Sequence, residues 1–267
     1  MRLQGSVVFA VLLSMFAVGG GLVAQTPPAT PPAAKGPDKE VAEKIGLLKD
    51  AVADKKFARE AEGLQAIDFL LQKSRAGLEP KDQQAVVKAL DGVLSNGKVR
   101  PPDKVELYIG AAAALGYCGV EGAKVLKSAY LDKTRYPEKP DWVRLREQLL
   151  KNLGRTKDES MIRFLVVEAK ENNEASLQAI AGEALGNFED SKEATRKEIV
   201  NLLLIKYGEL YEQASQLGTN ILAQNAQDRL ATLQDKWNGT LAKLTRQNFT
   251  KFPEWQTWYQ KHKSQAW

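Results

Sequence analysis

From Lys39 onward, apolar residues recur three and four places apart, the spacing of helices that each bury one face. Val41, Ile45, Leu48 and Val52 make one stripe. Phe57, Ala61, Leu64, Ile67 and Leu71 make the next, which ends at Ala76-Gly77. Pro80 suits the first turn of a third helix, with Val86, Val87, Leu90, Val93 and Leu94 inward and Asn96-Gly97 as its stop. Pro101-Pro102 opens a fourth. Period-2 alternation is scarce while Ala, Leu, Lys, Glu and Gln abound, so the pattern predicts an all-α chain.

One pattern is then written three times. It runs from Leu107-Tyr108 through Ala111-Ala112 to Leu115-Gly116, from Leu145-Arg146 through Leu149-Leu150 to Leu153-Gly154, and from Leu177-Gln178 through Ala181-Gly182 to Leu185-Gly186. Residues eight, four and three places before the last leucine share one helix face. The glycine that follows is expected to end the helix in the left-handed conformation, which costs a residue without Cβ nothing. The final leucines lie 38 and then 32 residues apart, room for two helices and two turns.

Second helices are expected at 120–130, 161–169 and 194–210, and a long one from about Leu217 through Leu230 and Leu233 to Trp237. One helix pair of this size cannot bury both apolar faces, so pairs must stack on one another. The expected architecture is an α-solenoid of antiparallel helix pairs over 39–246, closed by a basic, aromatic cap at 247–267.

These three segments resemble HEAT-type repeats, including the short HEAT-like repeats first associated with phycobiliprotein lyases. The family usually shows Val-Arg at the repeat start, and Arg146 keeps that basic residue. The resemblance implies a right-handed α-superhelix that presents a concave surface to a protein partner. The closing stretch, Leu244 to Phe249 followed by Trp255, Trp258, Tyr259, Lys261, His262 and Lys263, is similar to the tail of exported bacterial HEAT-repeat proteins. That likeness implies a short aromatic helix after the last repeat and no catalytic residues.

Composition narrows the chemistry. A single His, His262, and a single Cys, Cys118, leave no Cys/His zinc cluster and no internal disulfide. Cys118 in Gly116-Tyr117-Cys118-Gly119 suits a small buried side chain in a tight turn. No glycine-rich phosphate loop occurs in a strand-to-helix context, and no nucleic-acid motif accompanies the modest net charge of +5. No cofactor, metal or nucleic acid is expected, and no enzyme.

Residues 1–24 have the parts of an export signal or an N-terminal membrane anchor: Arg2, an apolar run over 7–18, and small residues before Ala24. Residues 25–38 carry Pro27, Pro28, Pro31, Pro32 and Pro37 and read as an extended linker. The rest of the chain is therefore expected outside the cytoplasm, periplasmic or secreted.

Function is expected at two places. The loop 132–140 and the residues after it offer Tyr136, Trp142 and Arg146 to a protein partner. The C-terminal stretch 229–267 holds seven Lys or Arg against Asp235 and Glu254, and four of the five Trp. Its Trp255, Trp258, Tyr259, Lys261 and Lys263 either cover the end of the last repeat or contact an anionic glycan, lipid surface or acidic protein face. The sequence thus reads as a non-catalytic interaction scaffold, with an envelope-associated binding protein as the alternative.

Overall fold

The computed structural model describes residues 38–216 and 221–267; the expected signal segment, the linker up to Pro37, and Leu217 lie outside the described residues. Asp38, read above as linker, is instead the cap of the first helix, its carboxylate accepting from the backbone N–H groups of Glu40 and Val41. Eleven α-helices and no strand occur among the described residues: α1 Lys39–Ala53, α2 Glu60–Ala76, α3 Pro80–Ser95, α4 Glu106–Leu115, α5 Gly119–Leu131, α6 Val143–Arg155, α7 Ile162–Glu171, α8 Ala175–Leu185, α9 Glu193–Ala214, α10 Ile221–Thr245 and α11 Phe252–His262. None of them is long and apolar enough to cross a membrane.

The helices pack by parity. α2 lies against α4, α4 against α6, α6 against α8 and α8 against α10. On the other side α1 meets α3 and α3 meets α5, while α7 meets α9 and α9 meets α11. One cluster of buried side chains runs from Val41 through Leu107, Leu149 and Leu185 to Trp255.

α4 and α8 stop at their Leu-Gly, but not through left-handed glycine, and α6 runs past its own. Gly116 and Gly186 keep right-handed helical dihedrals, and Gly154 lies inside α6. They allow close approach instead. A Cβ on Gly116 would lie 3.2 Å from the Asn152 carbonyl oxygen, one on Gly154 would lie 2.5 Å from that of Ala184, and one on Gly186 would lie 3.1 Å from Thr240 Oγ1. Each glycine therefore seats its helix end on the next even-numbered helix. The seam continues backward, where Gly110 takes Ile67 of α2 and Gly63 takes Leu107 of α4.

Left-handed residues follow α6 and α10, Lys157 at φ +55° and Arg246 at φ +63°, while Gly119 at φ +57° is the first residue of α5 and opens that helix. Gly77 and Gly97 carry positive φ at the expected stops of α2 and α3.

One expected face, that of α2, needs correction. Phe57 is not on α2 but in the turn before it, at φ +59°, with the Arg100 guanidinium 4.6 Å from its ring centre. The buried face of α2 is Gly63, Ala66, Ile67, Leu70 and Ser74, a rotation away from the stripe through Ala61, Leu64 and Leu71. Small residues carry that contact, so its hydrophobic signal is weak. A further copy of the repeat face also emerges in α10, where Leu233, Trp237 and Leu241 are all fully buried at the same four-residue spacing. Trp237 lies over Gly182, where a Cβ would collide with its indole.

Three alanine substitutions separate these roles. Gly154→Ala forces a backbone contact and should cost about 1–3 kcal/mol. Gly119→Ala meets open space but needs left-handed backbone, and should cost about 1–2 kcal/mol. Gly46→Ala, exposed inside α1 with nothing near its Cβ, should stabilise by about 0.5–1 kcal/mol. Urea unfolding of the three variants measures all of these.

Candidate functional site

The second residue of each repeat start is buried and polar: Tyr108, Arg146 and Gln178 are each 1% exposed. Each reaches backbone of the segment that leads into its own helix. The Tyr108 hydroxyl accepts from Arg100 N–H at 2.9 Å. Arg146 Nη1 donates to the carbonyls of Tyr130 (3.0 Å) and Tyr136 (3.1 Å), and Gln178 Nε2 donates to that of Lys170 at 3.2 Å. Backbone groups that no helix can pair are thus satisfied by one column of side chains.

The loop between α5 and α6 is built into this column. Tyr136 is fully buried, its hydroxyl donating to the Leu94 carbonyl at 2.6 Å and its ring edge-on to Tyr108 at 5.3 Å. Trp142 packs on the other side of Tyr136 at 5.6 Å. Arg135 donates to the carbonyls of Asn96 and Gly97, so the loop ties its own helix pair to the preceding one.

Between this loop and the turn joining α7 to α8 lies a cleft of about 530 Å³. Lys133, Glu138, Lys139 and Arg146 stand on one side of it, and Glu168, Glu171, Asn172 and Glu174 on the other. Beside the cleft the Tyr130 hydroxyl donates to Glu168 Oε2 at 2.6 Å, and Asn172 Nδ2 donates to both oxygens, at 3.0 Å to the hydroxyl and 2.6 Å to the carboxylate. The Arg146 guanidinium lies over the Tyr130 ring, 4.1 Å from its centre. Burial, and then the Glu168 carboxylate, hold the Tyr130 hydroxyl well above its ordinary pKa, so it stays a donor. Arg229 of α10 fastens the far side, donating to the carbonyls of Asn172 and Asn173 and to Gln178 Oε1. These groups offer hydrogen bonds and charge of both signs. Among the described residues no set of three His, Cys, Asp or Glu side chains is gathered for a metal.

The second expected place folds back on the chain. Phe252 fills the space above Gly208 beside Tyr207 and Tyr211, and buried Trp255 donates from Nε1 to Asn238 Oδ1 at 2.9 Å. Arg196 donates to the carbonyls of Leu244 and Trp267. Trp258 stacks on His262 and meets Trp267 edge-on.

Of the side chains expected to meet a partner, Tyr136, Trp142, Arg146 and Trp255 are buried; Tyr136, Trp255 and one side of the Arg146 guanidinium bond within the chain, so Tyr136 and Trp142 are not the open contacts expected. Trp258 and Tyr259 are half-buried, and Lys261 and Lys263 are exposed. Only Arg146 borders the cleft. Tyr130, Glu138, Glu168, Asn172 and Arg229 carry no local signal, because the bonds that gather them span up to 57 residues. Cys118 is buried beside Ser74 and the Ala114 carbonyl, and burial pushes its thiol pKa up.

Compared with known protein families, curated proteins and solved structures, the chain finds no match.

Burial raises the pKa of Tyr130, Tyr136 and Tyr207 above the ordinary value of 10, that of Tyr207 up to about 12. A raised folded-state value means the folded protein holds these protons more tightly than the unfolded chain. Their stabilising contribution is whole below pH 10 and is lost as pH climbs above it. Phenolate absorbance for these three should therefore appear above pH 10 together with loss of helical circular dichroism.

Proposed function

We propose that this chain is a HEAT-like α-solenoid, a right-handed superhelix of antiparallel helix pairs held outside the cytoplasm, that binds a protein partner without acting on it chemically. The observation that carries the reading is the cleft between the α5–α6 loop and the α7–α8 turn, assembled by two successive repeats and bordered by Arg146. The close stacking of α4, α6, α8 and α10 through repeat glycines supports the solenoid. Val120 and Leu131 on α5, Val167 on α7, and Ile205 and Tyr211 on α9 are large apolar side chains left exposed on second helices of pairs, and Val167 borders the cleft. The export pattern of residues 1–24 supports the location.

A photo-crosslinking side chain at Val167 should trap one defined protein in the envelope fraction of the source cell. The same group at exposed Glu43 of α1 should trap none. Absence of an adduct at Val167 that Glu43 lacks would sink the reading.

A second reading has its own observation: Lys251, Lys261 and Lys263 are exposed on and beside α11, next to half-buried Trp258 and Tyr259. On this reading the tail contacts an anionic glycan or lipid surface. Cosedimentation with anionic vesicles should then fall steeply between about 0.05 and 0.5 M salt and with Lys261→Glu plus Lys263→Glu. Contact through the cleft should be indifferent to that pair of substitutions.

A further inference from the structure

We infer that the cleft beside Arg146 receives a peptide end bearing both charges, a chain-terminal carboxylate adjoining a lysine or arginine side chain. This rests on the reading of the cleft as the partner site and names what the partner inserts there.

Arg146 is the first ground. Its Nη1 is committed to two backbone carbonyls, at 3.0 and 3.1 Å. The opposite edge, Nε with Nη2, is the one by which a guanidinium grips a carboxylate through two parallel hydrogen bonds. Nε is buried without a partner, and Nη2 has only a long contact, 3.4 Å, to Glu138 Oε1. Glu138 is itself 54% exposed and also pairs with Lys133 at 3.0 Å. A buried guanidinium N–H without an acceptor is costly, and a loosely held surface carboxylate is a poor substitute for one. Glu138 thus occupies, weakly, the place a ligand carboxylate would fill.

The facing wall is the second ground. Glu171, at the end of α7, and Glu174, before α8, border the same cleft, and among the described residues neither is in an ion pair. The Glu174 carboxylate accepts only a 3.5 Å contact from Ser176 N–H. A ligand with a carboxylate alone faces these two acids, and one with a cation alone faces Lys133, Lys139 and Arg146. A ligand carrying both is complementary to both walls. About 530 Å³ holds a residue or two of peptide and no folded element.

Three fluorescent peptides test this on the full chain at low salt: Gly-Ala-Lys with a free C-terminal carboxylate, its C-terminal amide, and Gly-Ala-Ala with a free carboxylate, each labelled at the N-terminus. The lysine acid should bind, and the other two should bind about tenfold or more weakly, the loss expected for one charge-assisted contact. Glu138→Gln removes the internal competitor and should tighten the lysine acid several-fold. Glu171→Lys with Glu174→Lys should abolish the preference for lysine over alanine while leaving the helical circular dichroism unchanged. Equal affinity of the three peptides, no binding of any, or indifference to Glu138→Gln overturns the inference. If that happens while the Val167 crosslink still forms, partner binding stands and only the ligand chemistry falls.

Discussion

The approach of α4, α6, α8 and α10 to one another sets the rest of the described structure. These helices end or pass where a single carbon atom decides the spacing: Gly116 against Asn152, Gly154 against Ala184, Gly186 against Thr240. With one cysteine in the chain, no internal disulfide can take over that work. The assembly is held by dispersion and burial across close-packed seams, where a misfit of one methyl group is felt because interiors have few voids to absorb it. Trp237 shows the same rule from the other side. Its indole fills the file where α10 meets α8, and Gly182 has no side chain so that it can.

Close stacking creates a polar difficulty. Bringing helix ends together buries the connecting segments, whose N–H and C=O groups have no ladder to join. Tyr108, Arg146 and Gln178 answer it in turn, each from the same place in its repeat and each toward the backbone before its own helix. Arg135, Tyr136 and Arg229 extend the bonds between repeats. The cleft borders this column. Its walls are two consecutive connections, one tied to Arg146 and the other to Arg229.

Much of the fold was legible because local physics spoke clearly. The Pro80 start and Asn96-Gly97 stop of α3 fall where proline geometry and left-handed glycine put them. The three repeat starts and their second helices stand out because leucine and alanine mark one face. The misreadings share a cause. Glycine signals both a helix stop and a close contact, and Leu-Gly carries both at Gly116 and Gly186, while at Gly154 it carries only the contact and α6 runs on to Arg155 before left-handed Lys157. The face of α2 was misjudged because Gly63, Ala66 and Ser74 bury little apolar area yet make the contact. The site was legible only at Arg146, since Glu168, Asn172 and Arg229 meet through pairings distant in sequence. Aromatic residues suggested surface contacts by type, and Tyr136 and Trp142 were drawn inward because the loop needed anchors.

Arg146 joins the structural and functional readings. A residue whose sole task was to satisfy two carbonyls would need only the Nη1 side of its guanidinium, and at the matching place in the next repeat the neutral amide of Gln178 serves a single carbonyl. A guanidinium adds a fixed charge and a second edge, and burying charge without full pairing is destabilising. Part of that cost is relieved by the Tyr130 ring beneath and by Glu138 at the rim, and part is left in an unpaired Nε. An incompletely paired guanidinium and the carboxylates of Glu171 and Glu174 border the same cleft, and the proposed ligand would complete both.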